Sequence, residues 1–266
     1  MIELKAPSPL LRMLHAYLVL FLGLTVLALM CLIWTLIAPL PAFLLPQSIS
    51  RTIGRWTISQ AFRAYIGFLT LLGALRVDLS ALDELSRSPL ILAPNHPGLL
   101  DAVLILSRLP NLACVVKAEL LWNPWLGAGA RLAGYIGNAS RHGMIRAAVA
   151  ELKSGAPLLL FPEGTRTLQP LVNPFKNSLA LIAKQAQVPI QTVFIETDSR
   201  FLGKDWPWLR RPDLPIVIHI RLGDCFPPPA RVREATKNLQ HYFETELRQV
   251  CPPASAPTRP AMLSLP

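Results

Sequence analysis

At 266 residues the chain has enough material for one large domain with a substantial core, and its 52% apolar content exceeds that of an ordinary soluble domain, so a membrane segment is expected. The net charge of +10 comes without a zinc-finger, helix-turn-helix or RNA-binding signature, which sets nucleic acid aside as a partner. Cys31, Cys114, Cys225 and Cys251 lack CxxC spacing, which excludes a disulfide framework or a zinc site and leaves free thiols of a reducing compartment.

Taken in chain order, the apolar excess comes first. Between Met13 and Ser50 there is no Asp, Glu, Lys or Arg, and residues 14–38 form 25 nearly continuous apolar positions. As a helix this run is about 37 Å long, enough to cross a bilayer or dip deeply into it. It is too long for a signal peptide and has no small-residue cleavage pattern at its end, so it reads as a retained anchor. Lys5 and Arg12 precede it, and Pro39, Pro41 and Pro46 break it. Helical spacing then resumes over residues 48–75, with Arg51, Arg55 and Arg63 among Trp56, Phe62, Tyr65 and Phe68. That mixture suits an interfacial helix whose arginines meet lipid phosphates, with a surface helix packed on the core as the other reading.

Beyond residue 75 short apolar runs alternate with helical patterns. PLILA, ACVV, PLLLF, VPIQTVFI and PIVIHIRL read as strands, the third and fourth apolar enough to be buried on both faces. GLLDAVLILSRL, HGMIRAAVAELKSG, FKNSLALIAKQAQ and ARVREATKNLQHYFETELRQV read as helices, with Gly155 as a C-terminal stop. The alternation predicts an α/β domain with a mainly parallel sheet flanked by helices. The proline-rich residues 252–266 carry no core pattern and are expected to be disordered. The resulting division is an anchor with an interfacial helix over 1–75, a catalytic domain over 76–251, and a tail.

Two segments carry chemistry. In NHPGLLD, His96 precedes Asp101 by five residues; Pro97 and Gly98 interrupt the chain after the strand PLILAPN, and a helix is expected from Leu99. A straight helix would turn Asp101 away from His96, so the turn is what brings them together. Neutral His96 can then act as a general base toward a hydroxyl while ionised Asp101 fixes the ring tautomer. In FPEGTRT the turn follows a buried strand, at the sheet end where ligands collect. There Gly164 lets backbone amides approach an anion and Arg166 offers a planar fork for phosphate oxygens. Glu163 orients a substrate or pairs with an arginine. A control lies in the chain itself: His219 and Asp224 are also five apart, but inside an alternating strand pattern, where the histidine reads as structural.

NHPGLLD followed by FPEGTRT resembles the glycerolipid acyltransferases, the group containing 1-acylglycerol-3-phosphate acyltransferase, over roughly half of the chain. The resemblance implies an O-acyltransferase with His96 and Asp101 as catalytic residues and Glu163, Gly164, Thr165 and Arg166 as acceptor-binding residues. Lys117, after ACVV, stands where relatives carry a basic residue that meets the same phosphate; a solvated lysine is the other reading. In GYIGNASR the family's second block is matched only by Gly134 and Arg141, and Val188-Pro189-Ile190 fits a structural block. The resemblance implies no metal or redox cofactor, with acyl-CoA or acyl-ACP as co-substrate, and lipid partners: a lysophospholipid acceptor and the membrane itself. HPGLLD, VVKAEL, GYIGN and FLGKDWPW also resemble a bacterial subgroup found with aryl polyene pigment synthesis, whose acceptor is a different lysolipid or an aryl polyene intermediate.

No G-x-S-x-G elbow is present, so direct attack of the activated hydroxyl on the thioester is expected rather than an acyl-enzyme. Two other readings are a lipid ester hydrolase, since a His-Asp pair also activates water, and a non-catalytic membrane scaffold. Trp122 with Trp125, and Trp206 with Trp208, suit a membrane interface or an acyl-chain entrance, with core packing as the alternative. The arginines after the apolar run favour a catalytic domain that faces the cytoplasm, and the resemblance to the bacterial subgroup implies the bacterial inner membrane.

Overall fold

The computed structural model describes residues 8–85, 89–197, 199, 201–207 and 210–250. The tail over 252–266 and the expectations for Lys5, Trp208 and Cys251 lie outside the described residues. In chain order the elements are α1 (Pro9–Ile37), α2 (Pro39–Leu44), α3 (Gln47–Leu71), β1 (Leu75–Asp78), a 3-10 turn at Ser80–Glu84, β2 (Ile91–Pro94), α4 (Asp101–Arg108), β3 (Ala113–Val116), α5 (Ala118–Leu121) and α6 (Gly127–Leu132). There follow β4 (Ile136–Gly137), α7 (Arg141–Lys153), β5 (Leu158–Leu159), α8 (Ser178–Ala186), β6 (Ile190–Thr197), β7 (Ile216–Phe226) and α9 (Val232–Val250).

The described strands form one sheet in the order β1-β7-β6-β2-β5-β3-β4. Every neighbouring pair is parallel except β6 and β7, which run antiparallel. The central strands are buried on both faces because successive residues point to opposite sides. Leu92, Leu159, Val193 and Ile195 join the core under α3 and α4. Ile91, Ala93, Leu158, Leu160 and Phe194 join a second core with Ala148 of α7, Ile182 of α8 and Phe243 of α9.

Two short strands escaped the sequence pattern. α3 stops four residues before the expected end because Gly73 takes the left-handed conformation, φ 70°, and the chain enters β1 at Leu75. β4 has two residues, too few for any periodicity. The stop at Gly155 is as expected, with φ 95° just beyond α7.

α1 and α3 pack along one another where small residues permit close approach: Tyr65 Oη donates to Gly23 O at 3.3 Å, and Ala16 and Gly23 are buried. Arg55 of α3 departs from the lipid-facing expectation and follows the alternative of a helix packed on the core. Arg55 is 4% exposed and donates to Glu151 Oε1 at 2.6 Å and to Ala133 O at 2.8 Å; Arg51 reaches Glu151 Oε2 at 3.3 Å and Arg63 the Ser107 carbonyl at 3.4 Å. Arg55 ties the helical pair to the α/β domain, while Arg51 and Arg63 add bonds to the domain from more exposed positions. A buried guanidinium needs such partners, and a carboxylate far away in sequence supplies them.

Candidate active site

β2 delivers the first motif to the C-terminal edge of the sheet. The Asn95 side chain extends the ladder there, donating from Nδ2 to Ile195 O at 3.0 Å and accepting Ile195 N–H on Oδ1 at 2.7 Å. Residues 97–100 then turn, so that α4 begins at Asp101, two residues later than its pattern suggested. Asp101 Oδ2 lies 2.8 Å from His96 Nδ1 and also accepts Gly98 N–H at 2.8 Å. The Phe161 ring stacks on the imidazole with centroids 3.9 Å apart, and among the described residues Nε2 has no hydrogen-bond partner.

Asp101 is buried, which pushes its carboxyl above the usual carboxylate range; the hydrogen bond and charge of His96, the Gly98 amide and the Arg166 guanidinium oppose that rise. The bond to Nδ1 selects the tautomer that leaves the Nε2 lone pair available. A ring clamped by Phe161, with one nitrogen anchored and the other open, is suited to taking a proton from a substrate hydroxyl.

The second motif leaves β5 beside β2. Glu163, 2% exposed, does not face a cleft: Oε1 accepts His96 N–H at 3.1 Å and the Thr167 hydroxyl at 2.7 Å, while Oε2 accepts Asn173 N–H at 2.7 Å. In this arrangement Glu163 holds the His96 backbone, where the sequence reading has it orient a substrate or pair with an arginine. Burial raises the Glu163 carboxyl above its ordinary range, and the donors from Asn173, Thr167 and His96 counter this. Thr167 N–H returns a bond to His96 O at 2.8 Å, and Asn173 Nδ2 donates to Arg166 O at 3.0 Å, so the two motifs form one braced unit.

Gly164 takes φ 69°, a conformation that only glycine adopts without strain, and its N–H closes the turn onto Phe161 O at 3.0 Å. The backbone amides of Thr165 and Arg166 and the Thr165 hydroxyl have no partner among the described residues. Arg166 is only partly available as a phosphate fork, because Nη1 donates to Leu202 O at 2.8 Å and to Gly203 O at 3.0 Å. Lys117 is exposed just beyond the end of β3, and among the described residues its side chain makes no hydrogen bond or ion pair to either motif. Sequence reasoning missed Phe161, Thr167 and Asn173 as parts of the site.

The second histidine pair does not form. His219 and Asp224 stand about 17 Å apart along an extended strand. His219 instead lies 3.6 Å from Asp78 Oδ2 and 3.6 Å from Glu196 Oε2. Trp206 is partly buried within its own loop: Nε1 donates to Arg210 O at 2.9 Å, and the Arg210 guanidinium lies 4.8 Å from the centre of its ring.

Residues 76–196 match the model of a family described as Acyltransferase. The 1-acyl-sn-glycerol-3-phosphate acyltransferase alpha of Mus musculus is 34% identical over 124 residues, 44% of this chain and 43% of the mouse protein. The Cocos nucifera 1-acyl-sn-glycerol-3-phosphate acyltransferase is 32% identical over 40% of this chain and 37% of its own length. The chain thus spans less than half the length of these plant and mammalian relatives. The 1-acyl-sn-glycerol-3-phosphate acyltransferase of Pseudomonas aeruginosa is 21% identical over 220 residues, 79% of this chain and 84% of that protein. In fold, the chain is similar to the crystal structure of the 1-acyl-sn-glycerophosphate (LPA) acyltransferase, PlsC, from Thermotoga maritima, with a TM-score of 0.72, 20% identity, and coverage of 92% of this chain and 100% of that one.

Proposed function

Because this chain belongs to the glycerolipid acyltransferase family, we propose that it transfers a fatty acyl group from a coenzyme A or acyl carrier protein thioester to the free hydroxyl of 1-acylglycerol 3-phosphate, giving phosphatidate. The observation that carries this reading is the His96 Nδ1 to Asp101 Oδ2 distance of 2.8 Å with Nε2 left open. His96 Nε2 takes the hydroxyl proton as the acceptor oxygen bonds to the thioester carbonyl carbon. The carbon–sulfur bond then breaks, and the imidazolium returns the proton to the departing thiolate. Asp101 stabilises the imidazolium through Nδ1. Phe161 and the Glu163 clamp restrict the ring to one orientation, which lowers the entropic part of the barrier.

We also propose that α1 enters one leaflet with both ends on the side of the catalytic domain. His15 Nε2 is 3.1 Å from Leu72 O near one end of α1, and the Thr35 hydroxyl donates to Trp125 O at 2.6 Å near the other. Twenty residues of helix are about 30 Å, the thickness of the hydrocarbon core, so a helix bound to the domain at both points does not carry one of them across. Leu40 and Phe43 of α2, with Trp122 and Trp125 beside the end of α1, form an exposed apolar rim from which a lipid acceptor reaches the sheet edge.

The test is lipid mass spectrometry of membranes with and without the protein, supplied with mixed acyl thioesters and lysolipids. Protein-dependent phosphatidate from 1-acylglycerol 3-phosphate is the expected result. Release of free fatty acid without acylated product would mark a hydrolase instead.

A further inference from the structure

Lys176 belongs to neither motif, yet the fold places it on the second. Its backbone N–H donates to Pro162 O at 2.9 Å, which fixes residue 176 beside the Gly164 turn. Its side chain then runs over that turn. A Cβ built on Gly164 would stand 2.5 Å from Lys176 Nζ, 2.8 Å from Cε and 3.0 Å from Cδ. The ammonium therefore occupies the place that a side chain at position 164 would fill.

Among the described residues no acid pairs with it. The adjacent carboxylate, Glu163, faces inward with bonds to His96, Thr167 and Asn173. Among the described residues Lys176 has no ion-pair partner. The next two residues of the turn, Thr165 and Arg166, have backbone amides with no partner among the described residues, and Arg166 has Nη1 committed to two carbonyls. A phosphate monoester carries about −1.5 to −2 charge near neutral pH and offers three acceptor oxygens, more than one half-engaged guanidinium can satisfy.

We propose that Lys176 is a second cationic ligand for the acceptor's phosphate monoester, holding it over the Gly164 turn with the Thr165 and Arg166 amides and the remaining edge of Arg166. The proposal rests on the acyltransferase reading for the identity of the acceptor, but its anion chemistry is local to the turn. A flexible ammonium suits this place because it can swing over the phosphate once the lipid has entered.

The test is equilibrium binding to the full chain in uncharged detergent micelles, where no other phosphate competes. The probes are 1-acylglycerol 3-phosphate, 1-acylglycerol of the same chain length, and coenzyme A. The variants are Lys176→Met, which keeps the apolar stem, and Lys176→Arg, which keeps the charge. Lys176→Met should weaken the phosphorylated lipid about tenfold or more and leave 1-acylglycerol unchanged, and Lys176→Arg should recover most of the loss. Equal binding of the phosphorylated lipid by wild type and Lys176→Met overturns the proposal. So does a loss confined to coenzyme A, or a wild type with no preference for the phosphorylated lipid. If the binding contrast holds but wild type transfers no acyl group to 1-acylglycerol 3-phosphate, the proposed function fails and the anion site stands.

Discussion

Glu163 Oε1 accepts the backbone N–H of His96 at 3.1 Å, and the two residues stand at equivalent positions, each five beyond the register pair Ile91 and Leu158 of the neighbouring strands β2 and β5. Parallel pairing therefore carries the two motifs to one level of the sheet edge. The carboxylate of one then serves the backbone of the other.

Glu163→Gln tests that relationship. Both carboxylate oxygens accept, one from His96 and Thr167 and the other from Asn173. A glutamine satisfies only one side and turns its NH2 toward a donor on the other, which costs about 1–3 kcal/mol. The expected outcome is a lower unfolding midpoint together with a fall in kcat and little change in the acceptor's KM. A rise confined to the acceptor's KM would show instead that Glu163 touches substrate.

Asp101→Asn separates stability from activity. Burial raises the folded pKa of Asp101 above the unfolded value of about 3.9. Between those two values the folded state keeps a proton that the unfolded state has released, so stability falls as pH rises through this window. The ionised carboxylate then costs stability at neutral pH. An asparagine oxygen can still accept from both His96 and Gly98, because both donors converge on Oδ2. Urea unfolding of Asp101→Asn should show a midpoint at pH 7 no lower than wild type and a flatter pH dependence in that window. Transfer should fall by about 10²–10⁴-fold, because the neutral amide stabilises the imidazolium poorly. In wild type, transfer should decline on acidification through the raised pKa of Asp101.

How much of this was legible in the sequence depends on the range of the contact. The His96 and Asp101 pairing was legible because a proline-glycine turn and five residues contain it. The double-sided burial of β5 and β6 showed as continuous apolar runs. The burial of Arg55 against Glu151 did not, since an amphipathic helix presents the same spacing to lipid as to a protein surface, and the partner carboxylate carries no local signal. The same holds for Glu163: its inward turn depends on the Thr167 hydroxyl and the Asn173 backbone, which a neighbouring loop folds back to supply. Arg166 reads from the sequence as an anion ligand, but its bonds to Leu202 and Gly203 depend on a segment far along the chain.

Placement is tested by cysteine labelling of intact cells producing single-cysteine variants. Cys225 is exposed on the domain and Cys114 is buried, with its thiol pushed up to about 12 by desolvation. With the domain in the cytoplasm, a membrane-impermeant maleimide should miss both in intact cells, reach Cys225 after permeabilisation, and reach Cys114 only after unfolding. Labelling of Cys225 from outside intact cells would reverse the orientation.

The central claim is that His96, and not any other histidine, takes the acceptor's proton. The direct measurement is single-turnover acyl transfer to 1-acylglycerol 3-phosphate by purified His96→Ala and His219→Ala, with circular dichroism confirming that both are folded. The account predicts a loss of about 10²–10⁴-fold for His96→Ala and near wild-type transfer for His219→Ala. Transfer surviving in folded His96→Ala, or lost equally in both variants, would contradict it.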